Sequence, residues 1–171
     1  MKKFNLLFPI FLAAVMVFTL AAPLSVKAEG VSPPVRTIPV TGSGLVNVAS
    51  GTINNFVMKD GNVVLVPSME LRGLKAAITA ETVKTLPAAL PEEYHFVDAV
   101  TISLVQGGMA VDKLPGKAQL AVSFGDDPEF AACDHTLSIL RWDFAKGWEE
   151  IAENTLEAAS HVAGLYVLAV K

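Results

Sequence analysis

Apolar and polar residues alternate along most of the chain after residue 44, in short runs separated by Gly, Pro and Asp. A period of two places successive side chains on opposite faces of a β-strand. The pattern predicts an all-β fold, an antiparallel β-sandwich or open barrel of about eight strands. The longest alternating run predicts one strand face composed of Phe96, Asp98, Val100, Ile102 and Leu104.

A strand pair that carries both tryptophans is predicted near the C-terminus. Residues 145–147 (Ala-Lys-Gly) are typical of a three-residue hairpin loop, which pairs Phe144 with Trp148. Leu140 and Trp142 lie on the same face as these two residues. Because all four side chains are apolar or aromatic, this face is predicted to pack in the core. Aromatic rings also offer flat apolar faces. If they lie at the surface, Trp142 and Trp148 are therefore candidate ligand-binding residues that stack on sugar rings.

Residues 146–160 carry two conflicting signals. The segment is rich in helix formers, and Trp148, Ile151 and Thr155 fall near helical spacing, so propensity alone predicts a helix. We prefer a strand, a turn at Asn154 and a second strand, partly because of a resemblance described below. The choice between strand and helix stays open at this point.

Residues 1–28 have the order of a secretory signal peptide. Lys2 and Lys3 precede an uncharged apolar stretch at residues 4–26, and Ala28 offers a cleavage position. The stretch is also long enough to span a bilayer core of about 30 Å as an uncleaved anchor. We predict a signal helix removed near Ala28 and a secreted or cell-envelope location. Membrane attachment is expected only through an uncleaved N-terminal segment.

The region after the signal peptide differs in composition from the rest of the chain. Residues 29–43 contain three prolines, two glycines and several hydroxyl side chains, which predicts an extended linker rather than a packed element. The predicted organisation is therefore a signal peptide at 1–28, a linker at 29–43 and a β-sandwich domain at 44–171.

Charge and cysteine content restrict the partners and the covalent chemistry. Cleavage near Ala28 removes three lysines and no acidic residue, so the formal net charge falls from −4 to −7. Such a surface repels polyanions, and no nucleic-acid partner is expected. The single cysteine, Cys133, cannot form an internal disulfide, whereas pairing between chains and a plain free thiol both stay open.

Several motifs occur in a recognisable order from residue 38 onward. Ile38–Gly42 reads IPVTG, Leu114-Pro115-Gly116 is a turn, and residues 137–143 with Trp148 form an L-x-I-L-x-W-D…W pattern. In this order the chain resembles an uncharacterised class of secreted bacterial β-sandwich domain. The resemblance implies an extracellular β-domain, often an accessory module, with no attached activity.

The last strand is faintly similar to the autoproteolysis strand of GAIN-type domains, in which a His precedes a hydroxyl nucleophile. Here His161-Val162 is followed by Ala163. A methyl group cannot attack a carbonyl, because acyl transfer requires a hydroxyl, thiol or comparable nucleophile. Self-cleavage at this position is therefore excluded.

The remaining candidates for chemistry are sparse. Asp126, Asp127 and Glu129 form an acidic loop with the oxygen ligands that calcium prefers, but without EF-hand spacing, which makes it a weak calcium candidate. The three histidines are scattered and do not predict a zinc site. The chain has no Gly-x-Ser-x-Gly elbow and no phosphate-binding glycine loop, so no catalytic residue and no cofactor are predicted.

Together these observations predict a secreted or cell-surface, non-enzymatic β-domain with an interaction or envelope-structural role. Its expected partner is an unknown extracellular protein or polysaccharide. One alternative is an extracellular carbohydrate-binding module that uses Trp142 and Trp148. A second alternative is a secreted enzyme of an unrecognised type.

Overall fold

The strands of the protein form two sheets that pack as an antiparallel-rich β-sandwich. The computed structural model describes residues 33–67, 71–125 and 135–171, and these residues contain twelve strands and one turn of 3-10 helix, Val83–Thr85. Pro33–Lys171 forms one compact unit. The predicted all-β class is confirmed. No helix within the described ranges is long and apolar enough to cross a bilayer.

The first sheet has five strands in the order β1-β3-β4-β8-β11, and only the β1–β3 pair is parallel. Its strands are β1 (Val35–Pro39), β3 (Ile53–Met58), β4 (Gly61–Val66), β8 (Gln119–Phe124) and β11 (Glu157–Ser160).

The second sheet is antiparallel, in the order β10-β9-β12-β6-β5-β2, with the short β7 paired to the end of β6. Its strands are β2 (Val46–Asn47), β5 (Leu74–Glu81), β6 (His95–Gln106), β7 (Met109–Ala110), β9 (Leu137–Asp143), β10 (Gly147–Glu153) and β12 (Gly164–Val170).

The main core lies between the two sheets. It is built from alternate residues of each strand, as the period of two predicts. Phe56, Leu65 and Leu120 from the first sheet meet Ile102 and Tyr166 from the second, all of them almost fully buried.

A second, smaller apolar layer covers the outer face of the second sheet. We call residues 82–94, which connect β5 to β6, the cover segment. Its Leu86, Leu90 and Tyr94 pack on a group that includes Leu140 and Val167. Because the second sheet is covered on both faces, its central strand β12 is apolar at nearly every position instead of alternating.

Tertiary structure overrides helix propensity in residues 146–160. Gly147–Glu153 and Glu157–Ser160 are strands, and Asn154 at the turn has a φ of 56°. Asparagine tolerates this left-handed conformation better than most residues. The preferred strand–turn–strand prediction is confirmed.

The linker prediction is wrong for part of residues 29–43. Val35–Pro39 forms β1, an edge strand that pairs in parallel with β3. Val35, Thr37 and Ile38 favour extended backbone, and an edge strand tolerates Pro39 because one side of its backbone needs no ladder partner. The sandwich therefore begins before residue 44.

One predicted strand face is interrupted by a bulge. β12 pairs Leu168 with Asp98 but Ala169 with Phe96, so Val97 is an extra residue in β6. The bulge turns Phe96 to the outer apolar layer, while Val100 points into the main core. The order of apolar and polar residues in the sequence does not reveal a one-residue bulge of this kind.

Candidate functional site

The loop of the β9–β10 hairpin lies one residue earlier in the chain than the sequence predicts, and its length of three residues is unchanged. Asp143 pairs with Gly147, and Trp142 pairs directly with Trp148. The loop is therefore residues 144–146, and Phe144 lies at its tip with 95% of its surface exposed. The predicted pairing of Phe144 with Trp148 and the predicted core position of Phe144 are both wrong.

Backbone hydrogen bonds to one side chain explain the observed register. The Asp143 carboxylate accepts hydrogen bonds from the backbone N–H groups of Ala145 (2.8 Å) and Lys146 (3.0 Å). Gly147 then begins β10 with a φ of 84°, which favours glycine. The two amides lower the pKa of Asp143. The tip that carries Phe144 is thus held in one conformation.

The two tryptophans form the base of the hairpin on the outer face of the second sheet. Their ring centroids are 5.0 Å apart at an interplanar angle of 65°, an edge-to-face contact. Both residues are partly exposed, and Trp148 Nε1 donates a hydrogen bond of 2.9 Å to Ala89 O of the cover segment. Leu140 is buried in the same outer layer. The structure brings Trp142 and Trp148 together, but outside the main core.

Charged side chains flank the hairpin on its other face. Arg141 donates to Glu149 at 2.6 Å across the strand pair, and Lys146 donates to the same carboxylate at 2.8 Å. The hydrogen bonds from Lys146 and then Arg141 lower the pKa of Glu149. The hairpin therefore presents an aromatic tip beside a group of paired charges.

A second apolar tip lies at the same end of the second sheet. Gly164, where β12 begins, pairs with Ile102, and β6 continues in the same direction to Gln106. Gly107 and Gly108 form the two-residue turn with φ values of 60° and 84°, as a type I′ turn requires. Met109 follows, 73% exposed. We call the exposed tips with Phe144 and Met109 the hairpin end.

A polar cluster that sequence reasoning missed joins three distant parts of the chain. Lys171 donates to Glu150 at 2.7 Å and lies 4.9 Å from the centroid of the Tyr94 ring, and the Tyr94 hydroxyl also donates to Glu150. Lys171, and then Tyr94, lower the pKa of Glu150. Tyr94 and Glu150 are 56 residues apart, so no local signal could reveal the pair.

Other residues considered for chemistry are spread over the fold or lie beyond it. Asp126, Asp127 and Glu129, with Cys133, lie outside the described residues. His161 Nδ1 lies 2.8 Å from Ala118 O, at a bend after β11. No group of three or more metal-ligating side chains occurs within the described ranges.

Asp98 is a titratable group whose environment opposes its charge. Burial raises its pKa, although the backbone N–H of Ala99 donates to it at 2.8 Å. A pKa above that of the unfolded chain means that the ionised carboxylate at neutral pH disfavours folding. Stability is gained as pH falls from the folded pKa toward the unfolded one.

The Asp98→Asn variant is therefore expected to have a higher Tm than the parent protein at pH 7, and the gain should shrink as the pH is lowered toward 4. The amide oxygen can still accept the Ala99 hydrogen bond. Thermal unfolding followed by circular dichroism across this pH range measures the effect. Asp112→Asn, at an exposed site, is the control. A lower Tm for Asp98→Asn at pH 7 would contradict the argument.

Comparison of the chain with models of protein families, with curated proteins and with solved structures found no match.

Proposed function

We propose that this chain is an exported, non-enzymatic β-sandwich domain that binds an extracellular partner through its hairpin end. The observation that carries the proposal is the tip of the β9–β10 hairpin. Phe144 is almost fully exposed there, and the Asp143 carboxylate anchors the backbone of the loop that carries it. An anchored backbone has less conformational entropy to lose on binding, and aromatic residues dominate the energetics of many interfaces.

The surroundings of Phe144 support an interface. Trp142 and Trp148 brace the hairpin, and Met109 adds a flexible apolar side chain at the same end of the sheet. Aromatic residues, Met and Arg are the types enriched in protein interfaces. The paired charges of Arg141, Glu149 and Lys146 would form a polar rim on one side.

Several ionisable groups with shifted pKa values are engaged by partners within the domain. Glu149 and Glu150 are held by cations, and Asp143 binds the amides of its own turn. The Tyr166 hydroxyl, whose pKa burial raises, donates to Val162 O. The hydrogen-bonding capacity of these groups is therefore at least partly used inside the domain.

Site-specific photo-crosslinking tests the proposal. A benzophenone amino acid replaces Phe144 in the full-length chain, which is expressed in its host and irradiated in intact cells. We expect a discrete crosslinked product in the cell envelope or medium. The matched control places the same group at Val83, which is 58% exposed in the cover segment. Equal products from both positions, or from neither, would contradict an interface at the hairpin end.

Competition provides the quantitative arm of the same experiment. Purified exported protein should suppress the crosslink, and the Phe144→Ser form should be roughly 30-fold less effective if this side chain is an interface hot spot worth about 2 kcal/mol. Val83→Ser should compete like the parent protein. Turnover of glycosides, esters or peptides by the purified protein would contradict the non-enzymatic part of the proposal.

Carbohydrate binding is the second candidate, because Trp142 and Trp148 are partly exposed residues of the hairpin that carries Phe144, although the Trp142 ring nitrogen is buried. Their edge-to-face arrangement offers one ring face rather than a flat two-ring platform. Envelope polysaccharides that suppress the Phe144 crosslink and change tryptophan fluorescence would favour this candidate over a protein partner. Acrylamide quenching of the free protein should show at least one accessible indole.

A further inference from the structure

A pocket of about 170 Å³ opens on the side of the sandwich opposite the β9–β10 edge. The chain crosses there from the first sheet to the second, between β1 and β2. The floor is the main core, represented by Phe56, Ala76 and Ile78, all almost fully buried. The complete lining is Ile38, Pro39, Val40, Thr41, Gly42, Gly44, Leu45, Val46, Phe56, Ala76 and Ile78.

The pocket has the frame of a wide hairpin whose two strands belong to different sheets. β1 leads into residues 40–45, which form one end of the frame, and β2 returns along the opposite sheet. At the other end, Arg36 Nη1 donates to Asn47 O at 3.0 Å and bridges the two strands. The bridge and the connecting loop thus bound a window between the sheets.

The side chains of the lining favour an apolar ligand, while backbone groups and the Thr41 hydroxyl provide the polar part of the pocket surface. None of the lining side chains is ionisable, and Thr41 is the only one with a hydroxyl group. An apolar cavity of about 150 Å³ is large enough to bind benzene. A hydrocarbon segment of about six carbons is therefore the size that this pocket accommodates.

Arg36 adds a charge at the edge of the window. Its guanidinium contacts Asn47, the neighbour of the lining residue Val46, and it precedes the lining residue Ile38 by two positions on the same strand face. Two residues of a strand span about 6–7 Å. An exposed Arg has five N–H donors in a planar fork that matches a carboxylate.

We propose that this pocket binds the alkyl chain of a fatty carboxylate, with the chain in the core and the carboxylate paired to Arg36. This site is separate from the hairpin end and does not depend on the function proposed above. Pairing with Arg36 offsets the repulsion between the anionic headgroup and a protein that carries more acidic than basic residues.

Titration calorimetry with the protein exported by cells that express the full chain tests the apolar half of the proposal. Octanoate, below its micellar concentration, is the probe. We expect saturable binding that strengthens from butanoate to hexanoate and levels off beyond the length that the pocket holds. The absence of saturable octanoate binding would overturn the proposal.

A pocket-filling variant distinguishes this pocket from other apolar surfaces. Ala76→Val adds two methyl groups at the floor of the pocket and should weaken octanoate binding at least tenfold, and circular dichroism checks that the variant is folded. Ala80→Val, at an exposed position of the same strand, should bind normally. Unchanged binding by a folded Ala76→Val protein would overturn the location. If the parent protein were a dimer and Ala76→Val made it monomeric, the pocket would instead hold a side chain of a second copy, which would overturn the proposal.

The polar half of the proposal has its own control. Arg36→Gln should weaken octanoate binding about tenfold and leave binding of uncharged octanol unchanged. Lys84→Gln, which removes an exposed charge in the cover segment, should change neither. Equal losses for octanoate and octanol in Arg36→Gln would show that Arg36 only supports the wall, and would overturn its role as the carboxylate partner.

Discussion

Replacing Asn54 with alanine is expected to lower the free energy of unfolding by about 3 kcal/mol and the Tm by about 10 °C. Asn54 is fully buried in β3. Its side chain forms hydrogen bonds with backbone groups of the preceding loop, which would otherwise come from a neighbouring strand. Its amide oxygen accepts from Ala49 N at 2.9 Å. Its nitrogen donates to Ala49 O and Thr52 O, each at 2.9 Å, and to Leu65 O at 3.4 Å.

Alanine removes these bonds and leaves several backbone groups without partners in a region that water reaches poorly. Each such buried group costs about 1–3 kcal/mol. Urea unfolding, followed by circular dichroism, measures the loss. Asn55→Ala is the matched control, because Asn55 points to the other face of the sheet and its amide oxygen has no partner among the described residues. A similar loss for both variants would show that the Asn54 hydrogen bonds are not the cause.

The Gly61→Ala variant is expected to lose at least about 3 kcal/mol of stability and to accumulate poorly on expression. Gly61 begins β4 with a φ of 155°, in a region that side chains rarely adopt. A Cβ atom there would overlap the backbone carbonyl oxygen of Ser123 in β8 and lie 3.1 Å from Phe124 Cα. The obstacle is backbone in a paired strand, so no side-chain rotation relieves it.

Two other glycines separate the steric effect from the conformational one. Gly116 also has a positive φ, 54°, but a Cβ at this position meets nothing within 4 Å, so Gly116→Ala should cost only about 1 kcal/mol. Gly44→Ala, with neither constraint, should be nearly neutral. Urea unfolding compares the three variants. If Gly61→Ala were no more destabilising than Gly116→Ala, β8 could move away from β4 at little cost, and the predicted steric effect would be wrong.

The strands were predictable from sequence because the period of two is a local property. Val100, Ile102 and Leu104 were expected on one strand face, and all three are buried in the main core. Asn154 marked a turn even though its flanking residues favour a helix, because burial against the sheets outweighs propensity.

The errors in the fold arose where a single residue changes the register. Asp143 closes the hairpin one step early and thereby moves Phe144 from an expected core position to the surface. The bulge at Val97 moves Phe96 to the other face of its sheet. Each depends on a few hydrogen bonds that no pattern of apolar residues records.

The candidate sites were less predictable because they join distant segments. Trp142 and Trp148 were visible as a pair, but the cover segment that packs on Trp148 was not. The apolar pocket arises because β1, expected to be part of a linker, instead enters the sheet beside β3. Contacts between separate segments of the chain determine both the cover over Trp148 and the pocket.

The place of β12 restricts when the protein can fold. β12 lies between β9 and β6 in the second sheet, yet it follows both of them in the chain. While a ribosome is still making residues 95–143, the centre of that sheet does not exist, and β6 and β9 have no common neighbour. The second sheet therefore cannot be completed until residues 164–170 emerge, and a chain that lacks this sheet is easier for a channel for unfolded chains to thread.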